Sequence, residues 1–136
     1  YAGAGVSPSD NTHCLFENPV AEGFAYVKMT GVFPINTVLT IHEETVKRQP
    51  ELPAALMEAS RQASALYIES LESAGPDATY MGIPVGELKE RIGFDVFHPG
   101  LEGNRSAIEM MLKYCEEQDL TPTNYKVQDL FVPGID

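Results

Sequence analysis

The stretch GVFPINTVLTIH, residues 31–42, has the strongest secondary-structure pattern in the sequence. It is rich in β-branched and aromatic residues, begins at a glycine and is followed by the acidic pair Glu43 and Glu44. This composition and these boundaries are typical of a β-strand. A single strand cannot satisfy its own backbone N–H and C=O groups. We therefore expect residues 31–42 to pair with weaker strand candidates near Phe94 and Tyr125, or with another chain.

The rest of the chain is predicted to be mainly helical. Asn18 followed by Pro19 combines an N-cap side chain with a proline at the first helical position, and Gly31 is the expected stop. Asn104 fits the N-cap of the last long helix. The predicted helices are residues 19–31, 44–49, 53–73, 84–92 and a segment from Asn104; residues 94–97 are predicted to be extended, 98–100 a loop and 127–131 a final turn.

Two of the predicted helices carry apolar residues at helical spacing. Cys115 lies on such a stripe, so it is predicted to be a core thiol and not a nucleophile. These apolar faces need a sheet beneath them, and only one strand is available to supply it. The stripes comprise Leu52, Leu56, Ala59, Ala63, Leu66 and Tyr67 in the first helix, and Ile108, Met111, Leu112 and Cys115 in the second.

Length and charge limit the classes of function. A chain of 136 residues, 43% of them hydrophobic, can bury one core, which predicts a single, partial α/β domain over residues 1–136. No apolar run is long enough to cross a bilayer, so no membrane partner is expected. The net charge of −11 argues against a nucleic-acid partner. A small anionic ligand stays possible, because one or two well-placed arginines outweigh the net charge locally.

Little further information about function comes from the cysteines, the first residue and three incomplete motifs. Two cysteines are too few for a disulfide framework, although they would suffice for one bridge, and they indicate a reducing, cytoplasmic location. The chain starts at Tyr1 without a signal-peptide pattern, so we expect its true start to be trimmed or absent. No cofactor or metal is predicted. The rejected motifs are Gly3-Ala4-Gly5, which has Pro8 in place of a third glycine; His42-Glu43-Glu44-Thr45-Val46, which lacks the second histidine of a zinc protease; and His13 beside Cys14, which has no further ligand at a suitable spacing.

Three runs near the end of the chain carry a resemblance to a known family. They are Glu102-Gly103-Asn104-Arg105, MLKYCEEQDL at residues 111–120 and VQDLF at residues 127–131. In this order they resemble the C-terminal end of the 4,5-dihydroxyphthalate decarboxylase family. That family has a G-x-x-x-N-R helix start, a Tyr-x-x-Glu-Gln-x-Leu exit and an acidic-Leu-Phe terminus.

A second match lies just before and within the predicted strand. Tyr26, Thr30-Gly31 and Phe33-Pro34-Ile35 resemble the family's Tyr…Thr-Gly-x-x-Pro-Ile approach to a strand. The family usually has a histidine two residues after the Pro-Ile pair, where this chain has Asn36 and then Thr37. The two matches together span residues from about Glu17 to Phe131.

The resemblance implies a type 2 periplasmic-binding-protein-like fold, with two α/β lobes and a ligand in the cleft between them. Family members are more than twice as long as this chain. The chain would therefore be the helix-rich C-terminal part of such a fold, with few strands. It would need its missing amino-terminal lobe, or a homo-oligomer, to complete the cleft.

The implied activity is decarboxylation of a hydroxylated aromatic acid without a cofactor. Such a reaction protonates the ring carbon that bears the carboxylate, while the para hydroxyl supplies electrons. His98 and Asp95 are the candidate catalytic pair, a histidine with a carboxylate that would orient it, although a loop histidine is commonly just solvated. Arg105 at a helix N-terminus, with Asn104 beside it, is the candidate site for the substrate carboxylate. The competing interpretation is that Arg105 pairs with Glu102 or Glu109 on the surface.

Asn36 and Thr37 are polar residues inside an apolar stretch, so they either line the cleft and bind substrate or satisfy backbone groups.

Three function classes follow from all of these residues. The chain is part of a decarboxylase that takes a small anionic aromatic ligand, or part of a solute-binding protein of the same fold that binds without turnover. The third class is a domain without activity whose strand completes the sheet of a neighbour.

Overall fold

The structure of the protein is a computed structural model that describes residues 15–80, 82–121 and 125–135. The described chain is 62% helical, and its strands form one two-stranded sheet. The predicted helix-rich chain with few strands is confirmed. The chain divides into two compact units, residues 1–31 and residues 32–136.

The described part of the first unit contains the helix α1, Pro19–Thr30. The Asn18 side-chain oxygen accepts a hydrogen bond from the Ala21 N–H at 3.0 Å, which satisfies one of the exposed donors of the first turn. At the other end, Gly31 adopts a left-handed φ of 69° and its N–H donates to the Val27 carbonyl at 2.8 Å. The predicted cap, first-turn proline and glycine stop are all confirmed.

The second unit contains five α-helices, a small hairpin and a 3₁₀ turn in its described residues. The helices predicted to start at residues 44, 53 and 84 each begin within one residue of the predicted position. The last long helix begins earlier than predicted. The elements are α2 (Glu43–Arg48), α3 (Leu52–Ala74), β1 (Thr79–Tyr80), β2 (Ile83–Pro84), α4 (Val85–Arg91), the 3₁₀ turn (Asp95–Phe97), α5 (Leu101–Glu117) and α6 (Val127–Leu130).

The hairpin of β1 and β2 was not predicted. Its strands are antiparallel, with Tyr80 opposite Ile83, and Gly82 between them has a φ of +84° that favours glycine. The Val85 N–H then donates to the Ala78 carbonyl at 2.7 Å, so the hairpin leads directly into α4. Strands of two residues carry too little periodicity to be recognised in a sequence.

The prediction of a strand over residues 31–42 is wrong. From Val32 to His42 the backbone forms no helix, strand, turn or bend. Residues 33–41 make no backbone hydrogen bond to any other described residue. The expected pairing segments are not strands either, because residues 95–97 form a 3₁₀ turn and Tyr125 lies in irregular backbone before α6. Strand propensity alone forms no sheet without a neighbouring strand.

The core of the second unit centres on α4. Leu88 is the one described side chain that is completely buried. Lys89 of α4 reaches α3 through an ion pair with Glu72, with 2.5 Å between Nζ and Oε1. The other buried residues of this unit are Val32, Pro53, Leu71, Val85, Ala107, Ile108 and Val127.

The buried face of α3 agrees with the predicted face at Leu52 and Leu56 and differs from it later in the helix. Ala59 and Ala63 are exposed, and Leu66 is 67% exposed, whereas Leu71 is buried. The helix has apolar residues on more than one side, so spacing identifies residues that share a face but not the face that meets a neighbour. The more buried side of α3 comprises Leu52, Pro53, Leu56, Met57, Ser60, Ser64, Ile68 and Leu71.

The apolar stripe of α5 is confirmed in part. Ile108 is buried, and Leu112 and Cys115 are half-buried, as the helical spacing predicts. Met111 is 49% exposed, so it lies at the border of the stripe. Cys115 is a free thiol on the packed side of the helix, consistent with its predicted role as a core residue.

Replacement of the most buried side chain tests this core. We expect Leu88→Ala to lower the free energy of unfolding by about 2–5 kcal/mol, because it removes buried methyl groups and leaves a cavity. Leu66→Ala on the exposed side of α3 is the matched control, with an expected change within about 0.5 kcal/mol. Urea unfolding followed by circular dichroism measures both. Equal losses for the two variants would contradict the assigned core.

Candidate functional site

Four of the six predicted site residues lie together where the 3₁₀ turn leads into α5. We name this segment, residues 95–105, the turn–helix junction. The Nε2 atom of His98 lies 4.0 Å from Oδ1 of Asp95. The His98 side chain is 55% exposed and that of Asp95 is fully exposed. This distance is too long for a hydrogen bond, so Asp95 is near the imidazole without fixing its orientation.

Asn104 holds the loop of the junction, and it is not the N-cap of α5. Its Nδ2 atom donates to the carbonyl oxygens of Gly100 at 2.8 Å and His98 at 3.3 Å. The helix begins at Leu101, so Asn104 already lies in its first turn and the prediction of its capping role is wrong. An amide that donates to carbonyls fastens the preceding loop and leaves the helix N–H groups to other partners. Asn104 thereby positions the backbone of His98.

Arg105 pairs with an acidic residue of its own helix. Its Nη2 atom contacts Oε1 of Glu102, and its Nε atom donates to Oε2 of the same carboxylate at 3.4 Å. The Arg105 side chain is 37% exposed. The competing interpretation of Arg105, surface pairing with Glu102, is thus confirmed for this structure. An anionic ligand at Arg105 would have to compete with Glu102 for the guanidinium.

Asn36 and Thr37 do not join the junction. Both are exposed, and they lie in the irregular segment between α1 and α2. Within the described residues, no hydrogen bond or ion pair connects either side chain to His98, Asn104 or Arg105. The structure therefore places the histidine near the carboxylate and links the amide to the His98 carbonyl, whereas the arginine follows on the same helix paired with Glu102.

Four aromatic rings pack against one another beside the junction. The Phe97 ring centroid lies 5.6 Å from that of Tyr67, 5.1 Å from that of Tyr80 and 6.1 Å from that of Phe94. The contacts with the two tyrosines are edge-to-face, a favourable geometry for aromatic pairs. Lys89 lies over the Phe94 ring, with Nζ 5.4 Å from its centroid. We name these four rings the aromatic cluster.

Sequence reasoning missed the aromatic cluster, although a signal for it exists. Phe94 and Phe97 are three residues apart, so in a strand they would point to opposite faces, whereas a helical turn places them on one side. The predicted extended segment over residues 94–97 is therefore wrong, and the 3₁₀ turn is the conformation that lets both rings pack together. Because Asp95 lies in this turn, the aromatic cluster also fixes the start of the junction.

The aromatic cluster changes the acidity of one tyrosine. Burial raises the pKa of Tyr67 above its ordinary value, and the nearby Tyr80 raises it further. Elsewhere in the unit, the Glu43 and Glu44 carboxylates raise the pKa of Lys47 on the exposed surface of α2. Neither group lies in the turn–helix junction.

An open cleft of about 370 Å³ lies between α5 and the segment that leads into α6. Its charged residues have both signs, and none of the six predicted site residues lines it. Tyr125, 43% exposed, and the buried Val127 form part of its apolar lining. The lining residues are Glu109, Leu112, Lys113, Glu116, Thr121, Tyr125, Lys126, Val127 and Gln128.

The part of the chain that the structure describes has no group of three or more His, Cys, Asp or Glu side chains placed to hold a metal ion. The rejected motifs at Gly3-Ala4-Gly5 and at His13 with Cys14 lie outside the described residues. None of the described helices is both long enough and apolar enough to cross a membrane.

Comparison of the chain with protein-family models, with curated proteins and with solved structures gives no match.

We expect the side-chain amide of Asn104 to stabilise the loop of residues 98–100. Asn104→Asp replaces a donor by a carboxylate that faces two carbonyl oxygens, so we expect the free energy of unfolding to fall by roughly 1–3 kcal/mol. Asn36→Asp makes the same chemical change at an exposed position and should alter stability by less than about 0.5 kcal/mol. Urea unfolding of both variants gives the comparison. A loss at Asn36 as large as that at Asn104 would contradict the positioning role of Asn104.

The raised pKa of Tyr67 predicts a pH dependence of stability. The unfolded chain releases this proton near the ordinary value of 10.0, and the folded chain releases it at higher pH. The contribution of neutral Tyr67 is therefore fully present below pH 10 and is lost as the pH rises through the folded-state pKa. Melting temperatures between pH 8 and pH 11.5 measure this loss.

Two phenylalanine variants isolate the tyrosine that is responsible. Tyr67→Phe should make the melting temperature fall less steeply above pH 10 than in the unmodified protein. Tyr114→Phe, at a similar exposure on α5, should leave the slope unchanged. Identical slopes for the Tyr67 variant and the unmodified chain would show that another group is responsible.

Proposed function

We propose that the turn–helix junction forms one wall of a site for a small anionic aromatic ligand. We further propose that the chain is the C-terminal portion of a cofactor-independent decarboxylase of the 4,5-dihydroxyphthalate type. The observation that carries the proposal is the grouping of His98, Asp95, Asn104 and Arg105 within one turn and the start of one helix. A proton donor and a cation for a carboxylate are the two groups that this chemistry requires.

Each residue has a definite role in the proposed reaction. Arg105 exchanges Glu102 for a ligand carboxylate, which it binds with two parallel N–H donors. The protonated His98 imidazole gives its proton to the ring carbon that carries the other carboxylate. The para hydroxyl supplies electrons to the ring for this step, and the C–C bond then breaks to release carbon dioxide. The electron pair of that bond restores the aromatic ring of the product, protocatechuate.

The exposure of the junction determines what else the site needs. His98 and Asp95 lie in water in the described chain, and an electrostatic contact gains strength only when water is excluded. We propose that an amino-terminal lobe, or a second copy of the chain, supplies the opposite wall. The proposed fold of the complete protein is the two-lobed type 2 periplasmic-binding-protein-like fold, and the low cysteine content supports a cytoplasmic location.

Binding without catalysis is the second candidate function. It is favoured by the separation of 4.0 Å between His98 and Asp95, which leaves the imidazole without a fixed orientation. Asn36 and Thr37, in place of the family's histidine, also favour it. In this case the chain belongs to a solute-binding protein in which Arg105 recognises the carboxylate and no carbon dioxide is released.

Calorimetric titration of the full chain with 4,5-dihydroxyphthalate tests the proposed site. We expect binding, and we expect Arg105→Gln to weaken it about tenfold or more, because a charge-assisted pair is lost. The control is Arg61→Gln, since Arg61 also pairs with a glutamate three residues earlier, Glu58, at 3.7 Å. Its affinity should stay within about twofold. Absence of binding, or equal effects of the two variants, would refute the site.

Release of carbon dioxide from the same ligand separates the two candidate functions. Turnover by the unmodified chain that is lost in His98→Gln, with binding retained, supports the decarboxylase. Binding without any turnover, by the chain together with the lobe that completes the site, supports the solute-binding protein. His42→Gln, at another exposed histidine, should change neither binding nor turnover.

A further inference from the structure

Residues 35–41, Ile-Asn-Thr-Val-Leu-Thr-Ile, have the composition of a strand but no strand partner among the described residues. Val38 is 54% exposed and Leu39 is 71% exposed. We propose that two copies of this chain pair antiparallel through residues 35–41, which we name the pairing segment, and form a dimer around a two-fold axis at Val38. The proposal is independent of the proposed function.

The backbone of the pairing segment is available for a β-ladder. Its N–H and C=O groups make no hydrogen bond to other described backbone groups, so pairing would replace water and break no existing bond. Natural edge strands are protected by charged side chains, bulges or prolines. The pairing segment contains no charged residue and no proline, and Pro34 lies just outside it. A segment of this type, left exposed, readily adds a strand.

The sequence of the pairing segment is nearly symmetric about Val38, and this symmetry favours a second copy over an unrelated partner. In an antiparallel pair centred on Val38, the residue numbers of opposing residues add up to 76. Ile35 then faces Ile41, and Asn36 faces Thr40. Val38 faces its own counterpart, so β-branched residues oppose each other at these positions and Asn36 and Thr40 can exchange a hydrogen bond; Thr37 facing Leu39 is the pair that departs from the symmetry. A two-fold interface requires this kind of self-complementarity.

The distribution of charge is also consistent with self-pairing. Each copy carries a net charge of −11, which opposes association of two copies. Residues 29–41 contain no charged side chain, so the pairing segment brings no like charges into direct opposition. The repulsion is long-range and is screened by salt, so the dimer should become tighter as ionic strength rises.

Sedimentation equilibrium of the full chain tests the dimer. We expect a monomer–dimer equilibrium whose dissociation constant falls several-fold between 50 mM and 500 mM salt. Val38→Lys would place two ammonium groups opposite each other, and it should raise the dissociation constant roughly tenfold or more. Leu66→Lys adds the same charge at another exposed apolar position, on α3, and should have little effect. A strictly monomeric chain, or a dimer that responds equally to both variants, would overturn the proposal.

Cross-linking tests the register. Directly opposed residues of an antiparallel pair have Cα atoms about 4.5–5.5 Å apart, which a disulfide can span. In a chain with Cys14 and Cys115 replaced by alanine, Val38→Cys should give a covalent dimer on oxidation with diamide, whereas Leu66→Cys should not. Equal cross-linking of the two variants would show collision of monomers and would refute the two-fold pairing.

Discussion

The contact of the Phe97 ring with three other aromatic rings is the interaction on which the second unit depends. It joins α3 through Tyr67, the hairpin through Tyr80 and the approach to the 3₁₀ turn through Phe94. Edge-to-face ring pairs contribute about 0.5–1.5 kcal/mol each beyond the burial of their area. Segments distant in sequence are thereby fixed at one point, and α5 starts only a few residues later.

That contact determines the geometry of the turn–helix junction. Asp95 begins the 3₁₀ turn and His98 follows it, while the ring of Phe97 at the end of the turn packs against the other rings. Asn104 then fastens the intervening loop to α5, and Arg105 follows on the same helix. The arrangement places an acid–base residue and a cation within one short segment of the chain, and it leaves both accessible to water. A second wall that excludes water would strengthen the electrostatic interactions of His98 and Arg105 with a ligand.

Residues 33–41 show the opposite situation, because they make no backbone hydrogen bond to any other described residue. They have a strong strand composition, yet no described neighbour offers a ladder, so their backbone stays irregular and Val38 and Leu39 stay exposed. Among the described residues only Leu88 is completely buried, and Val38 and Leu39 are exposed, so little of the described apolar surface is covered. Pairing with another strand would correct both by burying apolar surface and satisfying backbone groups.

The helices could be predicted from local signals, because caps, prolines and periodicity act over a few neighbouring residues: Asn18 and Gly31 mark both ends of α1. The sequence also placed the histidine and arginine of the candidate site near the start of α5. Long-range packing fixed which face of α3 is buried, that Asn104 fastens a loop, and that Phe94 and Phe97 belong to one aromatic cluster. It also decided that residues 33–41 pair with nothing in the described chain. These outcomes depend on neighbours distant in sequence, because a face is buried and a strand is paired only when another element lies against it.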